Sequence, residues 1–304
     1  EFFPGCHRVV SSRVYLRIMY VIVGATGQVG SLLVDELSRN GCPIRAVARH
    51  PEKLTNRTVE IVQADLFDAG QLAVAFRGCE TAFVITPENP SATDILADTR
   101  RIVRNYTEAI RAAGIRSVVA LSCLGAQASG DTGNLLMSKM LEDELDRLDI
   151  DKVFIRPSYY YSNWLPYLDT VSRYGVLPTF FPPDLKLDMH APADLARFAA
   201  GVITGTVQRT RKVYELIGPT AYSSQDVADI LSVKLNKSVT VHPIPGDRWR
   251  ETLRSAGFTD NTAKHVENMT RAVIDGKTIP ERPADAIRLA TPIEAYFDGV
   301  LTDN

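Results

Sequence analysis

The apolar run MYVIV (19–23) passes directly into GATGQVG, with Gly24, Gly27 and Gly30 spaced G-x-x-G-x-x-G and an amphipathic stretch at 28–39 behind them. A turn this tight needs glycine, and a pyrophosphate needs bare backbone to approach. The opening turn of a helix also offers free N–H groups and roughly half a positive charge. Strand, glycine turn and helix in this order predict a dinucleotide-binding βαβ unit; a merely structural glycine turn is the alternative. Thr26, Gln28 and Val29 lie in the same loop and join the three glycines as cofactor-binding candidates.

The same alternation continues. IRAVA (44–48), VEIVQ (59–63), TAFVI (81–85), SVVAL (117–121) and KVFI (152–155) have the length and β-branched content of buried strands, and helical patterns fall at 69–77, 94–113 and 135–148. Strands apolar on both faces and separated by helices imply a parallel sheet covered on both sides, a doubly wound α/β fold of the Rossmann type. Such folds bind ligands beyond the carboxyl ends of their strands. After Pro157 the rhythm changes. SYYYSNWLPY and GVLPTFFPPDLKL crowd aromatics and prolines together, followed by helical patterns at 191–204, 224–236, 246–257 and 259–275 and strand patterns at 212–217 and 239–244. The expected organisation is a Rossmann domain over 19–155 and a smaller C-terminal substrate lobe over 156–304. Residues 1–18 are expected to be a dispensable or non-native extension, because the sheet pattern is complete from Met19; an added strand or arm is the alternative.

The second strand's end selects between the two nicotinamide dinucleotides, since a carboxylate there binds the ribose 2′-hydroxyl and an arginine accommodates a 2′-phosphate. IRAVARHPEKL carries Arg49 there and no acid before Glu52. Arg49 presents a planar fork and Lys53 adds a point charge, so NADP(H) is expected over NAD(H); a simply solvated Arg49 is the alternative. Asp65 in QADLFD, with Leu66 beside it, is placed to accept from an adenine amino group or to cap the following helix. Thr86 and Pro87 follow the fourth strand where backbone passes the cofactor. Ser122 closes the fifth near the expected nicotinamide ribose, and Pro157 and Tyr159 follow the sixth.

A formal net charge of -2 gives no general electrostatic reason to bind nucleic acid or anionic membrane, which leaves a small molecule as the expected partner. There is no apolar stretch long enough to span a bilayer and no secretory signal in residues 1–18. Cys6, Cys42, Cys79 and Cys123 form no CxxC pair, so neither a zinc site nor a disulfide framework is indicated and a reducing, cytoplasmic setting is expected. His7, His50, His242 and His265 have no metal-ligand spacing, and no metal is expected.

In these blocks the sequence resembles the NmrA-like branch of the atypical short-chain dehydrogenases/reductases. The resemblance rests on VIVGATGQVG, AVARHPEKL, QADLFD, VVALSCLGA, SKMLEDELDRL with VFIRPSYYYSNW, and DMHAPADLARFAA, and spans about 19–280. It implies hydride transfer from NADPH to a small conjugated acceptor such as a quinone or dye. Cofactor sensing without turnover is the alternative. For Lys139 it implies a place beside the nicotinamide ribose, against an alternative as the i,i+4 partner of Asp143 on a solvated helix. Four residues before Lys139 stands Leu135, where related enzymes with a Tyr-Lys relay carry tyrosine, so sugar-nucleotide epimerisation is the least expected chemistry. Tyr159, Tyr160 and Tyr161 follow the sixth strand, and at least one should face the nicotinamide. Tyr160 is taken with Lys139 as a catalytic candidate, and Tyr160, Tyr161, Asn163 and Trp164 as the substrate wall. Asp194 is read as the cap of a helix 195–204, and His190 as a lesser candidate for proton donation.

Overall fold

The computed structural model describes residues 7–8, 16–54 and 59–302. In the N-terminal segment β1 (His7–Arg8) and β2 (Leu16–Arg17) pair antiparallel, apart from the central sheet. The rest of the expected dispensable extension, residues 1–6 and 9–15, lies outside the described residues. Ile18 packs against the core next to the first central strand.

Each predicted apolar run forms a strand: β3 (Tyr20–Val23), β4 (Ile44–Ala48), β5 (Glu60–Gln63), β6 (Thr81–Ile85), β7 (Ser117–Leu121) and β8 (Asp151–Pro157). Between them run α1 (Gln28–Arg39), α2 (Ala69–Phe76), α3 (Ile95–Ala113) and α4 (Leu135–Leu145). Local chemistry sets the helix limits. Asp94 accepts from Ala97 N at 2.9 Å to open α3, and Gly114, at φ 70°, closes it in the left-handed conformation that glycine adopts without strain.

The smaller elements follow as β9 (Tyr159–Tyr160), α5 (Leu168–Tyr174), β10 (Val176–Thr179), β11 (Leu187–His190), α6 (Pro192–Thr204), β12 (Val213–Ile217), β13 (Ala221–Tyr222), α7 (Ser224–Leu235), β14 (Thr240–Pro243), α8 (Trp249–Ser255), α9 (Asp260–Ile274), β15 (Ile287–Arg288) and α10 (Ile293–Thr302). The central sheet is parallel throughout, in the order β15-β12-β8-β7-β6-β3-β4-β5. It therefore has eight strands where the first half of the sequence indicates six. β12 joins β8 with Val213 opposite Phe154, and β15 joins β12, so the later half of the chain supplies strands to the same sheet.

The chain winds outward from β3 through β4 to β5, then returns to place β6 on the other side of β3. That reversal opens the crevice in which a doubly wound sheet receives its ligand. One apolar core includes Leu33 and Leu37 of α1 with Leu195 and Ala199 of α6, and another Leu72 of α2, Tyr106 of α3 and Leu141 of α4. A third surrounds Tyr161, Trp164, Val171 and Phe297 beside the small sheet β13-β11-β9. Among the described residues no helix is long and apolar enough to cross a membrane, and no group of His, Cys, Asp and Glu is arranged to hold a metal. Cys79 and Cys123 are free thiols. Cys42 is disulfide-bonded, although the cysteine spacing indicates no disulfide framework.

Candidate dinucleotide and acceptor site

The glycine turn has the geometry its spacing predicts. Gly24 takes φ +72°, and a Cβ there would stand 2.5 Å from Ile85 Cδ1, across the crevice between β3 and β6. Gly27 N donates to Gly24 O at 2.8 Å. A Cβ on Gly30 would lie 2.1 Å from that same carbonyl oxygen, so only glycine lets α1 settle onto the turn. Gly27 caps α1 without a side-chain hydrogen bond. The first-turn N–H groups of Gln28, Val29 and Gly30 therefore face the crevice mouth with no side-chain oxygen competing for them, which fits a pyrophosphate.

Arg49 and Lys53 are exposed past the end of β4, and neither joins an ion pair among the described residues; between them His50 Nδ1 lies 3.3 Å from Glu52 Oε1. Asp65 is exposed, and its Oδ1 accepts from Phe67 N at 3.0 Å. The cap of α2 is Asp68, which accepts from Gln71 N at 2.9 Å. Of the two roles open to Asp65, capping thus falls to Asp68, because three residues separate a cap from the N–H it satisfies. Leu66 is buried, and its carbonyl accepts from Asn105 Nδ2 at 2.8 Å. Thr86 and Pro87 are half-buried just beyond β6.

Ser122, Pro157 and the buried face of α4 meet at the ends of β7 and β8. Pro157 O accepts from Leu124 N at 3.0 Å. The buried Ser122 hydroxyl donates to Glu142 Oε1, so it is held by a helix side chain. Glu142 in turn receives the buried Arg156 guanidinium through both oxygens, at 2.8 and 2.6 Å, and Arg156 reaches Glu281 Oε2 at 2.6 Å. The surrounding carboxylates raise the Arg156 pKa against the opposing effect of burial. On the same helix face, Leu135, Lys139 and Glu142 follow one another at i, i+4 and i+7. Leu135 is buried against Gly125, while Lys139 Nζ lies 3.1 Å from Asp143 Oδ2 with both side chains about half exposed. The i,i+4 pair anticipated as the alternative for Lys139 is formed.

Tyr159 and Tyr160 are half-buried, whereas Tyr161 and Trp164 are only 0% and 2% exposed. Tyr161 donates to Thr291 O at 3.2 Å, and Trp164 Nε1 points at Met189 Sδ, 3.4 Å away. These two are the small lobe's core and leave no face for a ligand, which corrects their placement in a substrate wall. Asn163 is exposed nearby. Asp194 is likewise no cap, because α6 begins earlier, at Pro192, with Ala191 in the cap position. Its Oδ2 accepts from Thr291 N and its Oδ1 from Thr291 Oγ1, both at 2.8 Å, tying the C-terminal segment to α6.

The structure adds residues that the sequence pattern did not single out. Glu88, two residues after Thr86, accepts from Asn134 Nδ2 at 3.1 Å. Asn134, 6% exposed, keeps its Oδ1 buried and without a hydrogen bond. Glu88 is exposed, yet the surrounding protein raises its pKa by desolvation, against the lowering effect of the Asn134 bond. Cys123 and Ser138 hydrogen-bond beside it, and burial pushes the Cys123 thiol up to about 12. Burial raises the Tyr160 phenol as well, with Cys123 and Glu88 adding to the effect. Tyr160 packs on His190 with ring centroids 4.9 Å apart. Ser158 Oγ is 3.1 Å from His190 Nδ1, and Nε2 is buried without a partner. Burial holds His190 down to about 4, so it is neutral at pH 7 and is no ready proton donor. The available signal for Glu88 and Asn134 was position alone: one follows a strand end and the other precedes α4.

The fold and the crevice define a nicotinamide-dinucleotide-binding protein. A family model described as NAD(P)H-binding matches residues 24–165. The chain is 30% identical over 239 residues to a (4-alkanoyl-5-oxo-2,5-dihydrofuran-3-yl)methyl phosphate reductase of Streptomyces griseus, covering 77% of this chain and 80% of that protein. It is 29% identical over 253 residues to quinone oxidoreductase 2 of Escherichia coli, covering 81% and 84%. The solved structure of Citrobacter sp. triphenylmethane reductase complexed with NADP(H) superposes with a TM-score of 0.75 at 21% identity, over 93% of this chain and 99% of that one. The chain belongs to the NAD(P)H-binding reductases of the NmrA-like, atypical short-chain dehydrogenase/reductase type.

Proposed function

We propose that this protein transfers hydride from NADPH to a small conjugated acceptor, a quinone or a dye. The observation that carries the reading is the cleft at the carboxyl ends of β6, β7 and β8. Tyr160 keeps a half-buried face there, within electrostatic reach of Cys123 and Glu88, and the buried apolar Leu135 stands where a tyrosine relay would place a hydroxyl. Flat aromatic walls suit a conjugated ring, and an acceptor that takes hydride directly needs no oxidation of a hydroxyl by a tyrosinate. The relatives named as a quinone oxidoreductase and a butenolide reductase act on acceptors of this kind.

The bound dinucleotide would supply the hydride. The chain's own residues would hold it: Gly24, Thr26, Gly27, Gln28, Val29 and Gly30 at the pyrophosphate, Asp65 and Leu66 toward the adenine, and Thr86, Pro87, Ser122 and Pro157 along the trough. Arg49 and Lys53 would favour the 2′-phosphate and hence NADP(H). Lys139, swung from Asp143, would reach the ribose, Tyr159 would stand on the cofactor side, and Tyr160 and Asn163 would border the acceptor. The functional division is a cofactor-binding part over 19–155 and an acceptor-binding part drawn from 156–304.

Following NADPH oxidation against quinones, azo dyes and nitroaromatics, with NADPH affinity measured in parallel, tests the reading. Turnover with a quinone or dye is expected. Tight NADPH binding with no turnover of any acceptor would favour a cofactor-sensing protein instead, for which the Lys139–Asp143 pair and Leu135 are the favouring observations.

A further inference from the structure

We propose that Glu88 is the proton donor for acceptors that become anions on taking hydride, and that it separates quinone-like acceptors from cationic ones; the proposal rests on the reductase reading above. Glu88 stands three residues beyond Ile85, whose side chain borders the glycine turn, so it lies at the reversal point of the sheet where the crevice opens. Its Oε1 is fixed by the Asn134 amide, and Oε2 has no partner among the described residues. Helix α9 holds both partners in place. Pro90 O receives Thr259 N at 3.0 Å and Thr262 Oγ1 at 2.7 Å, Ile95 N donates to Asn261 Oδ1 at 3.0 Å, and Asn134 N donates to His265 O at 3.3 Å.

The remaining titratable groups of the cleft are poorly suited to the task. Cys123, beyond β7, and Tyr160, in β9, are the two that Glu88 influences, and both are weaker acids than usual because they are buried. His190 is neutral and buried, and the Lys139 ammonium is turned to Asp143. From α4 the cleft receives the neutral Asn134 and Ser138, and Glu142, which also acts on Cys123, is held by Ser122 and the Arg156 guanidinium. No ion pair among the described residues draws Glu88 toward the charged state, and desolvation acts in the opposite sense.

When a quinone takes a hydride, two electrons and one proton arrive together, a carbonyl π bond breaks, and one oxygen is left as a phenolate. The Glu88 O–H bond then breaks, its proton goes to that oxygen, and the carboxylate regains a proton from solvent. A triarylmethyl cation differs. Hydride closes its empty carbon orbital as a C–H bond, the product is neutral, and no proton is called for.

Glu88→Gln keeps the size and the Asn134 contact but has no acidic proton. The test compares quinone turnover with that of a triarylmethyl cation such as crystal violet in the wild type and in this variant, with melting temperature and NADPH affinity as controls on folding. The expected result is a fall of about 100-fold in the quinone-to-cation turnover ratio, within the range of general acid catalysis. The wild-type quinone rate should fall as pH rises through the Glu88 titration, and this limb should be absent from the variant. In the protein without cofactor, infrared spectra recorded across a pH series should show a protonated-carboxyl stretch that persists to higher pH than an ordinary glutamate's and that Glu88→Gln removes. A ratio unmoved by the substitution, in a wild type that reduces both acceptors, overturns the role of Glu88 alone. A wild type that binds NADPH and reduces neither acceptor overturns the reductase reading and this proposal with it.

Discussion

The backbone of Gly133 lies directly on the carbonyl of His265 in α9: a Cβ at position 133 would stand 1.9 Å from that oxygen and 2.5 Å from Met269 N. With φ +61° the residue is also in the left-handed region that side chains disfavour. The contact fixes where α4 begins and therefore where Asn134 points. Gly133→Ala is expected to cost about 2–4 kcal/mol of unfolding free energy, from overpacking and backbone strain together. Urea denaturation measures it, and a loss below 0.5 kcal/mol, taken as roughly the scale of an ordinary surface substitution, would mean that α9 does not bear on this turn.

Arg49 is exposed and free of ion pairs among the described residues, which leaves its guanidinium able to receive a 2′-phosphate. A hydrogen bond to a charged group is worth about 1.5–3 kcal/mol, so Arg49→Ala should weaken NADPH by about 10- to 150-fold and leave NADH little changed. Calorimetry with both dinucleotides decides it. An equal loss for the two would place Arg49 at the pyrophosphate or in the fold.

Lys139 has two partners to choose between. Its surface pair with Asp143 is worth little, about 0–1 kcal/mol, so a ribose hydroxyl can compete for the amine. Lys139→Met should then weaken NADPH by about 2- to 150-fold, corresponding to about 0.5–3 kcal/mol, while thermal stability changes little. Unaltered cofactor affinity would leave Lys139 as no more than a solvated helical residue.

His190 makes stability depend on pH. Its folded pKa, about 4, lies below the usual 6.5, so the unfolded chain binds its proton first as pH falls. Stability is complete above about 6.5 and is lost as pH drops through 4, by up to about 3 kcal/mol for this group. His190→Gln should flatten that part of the curve in unfolding experiments between pH 7 and 4. A variant whose slope matched the wild type would assign the acid sensitivity elsewhere.

Arg156 gathers Glu142 and Glu281 in a largely buried network. Arg156→Met should destabilise by about 3–5 kcal/mol, because Glu142 is left as an uncompensated buried charge. Adding Glu142→Gln should return part of the loss. Additive losses in the double variant would show that the two side chains do not act as a unit.

Much of the sheet was legible because its strands are covered on both faces, so MYVIV, TAFVI and SVVAL have one interpretation. The glycine turn was legible because each glycine answers a separate steric demand. KVYELI reads as a strand equally well, but nothing local says that it will lie beside β8 in the large sheet. That is settled by the route of α6 across the face. Tyr161 and Trp164 were misplaced for a related reason: an aromatic run after a strand end looks the same whether it lines a cleft or fills a core. Asp65 and Asp68 each offer a plausible cap, and only the helix start distinguishes them. Glu88 and Asn134 lie 46 residues apart and meet through helix α9, which no window of sequence contains.

The bracing of the acceptor cleft by α9 has a consequence for the order in which a growing chain becomes competent. The glycine turn has its packing partners once β6 is made, but Glu88 and Asn134 wait for residues 259–269 to emerge from the ribosome. Glu281 and Thr291, which fasten Arg156 and Asp194, come later still. The glycine turn of a nascent chain is therefore formed well before the segments that hold Glu88 and Asn134 are braced. Contacts of such long sequence separation are also the slowest to form in refolding.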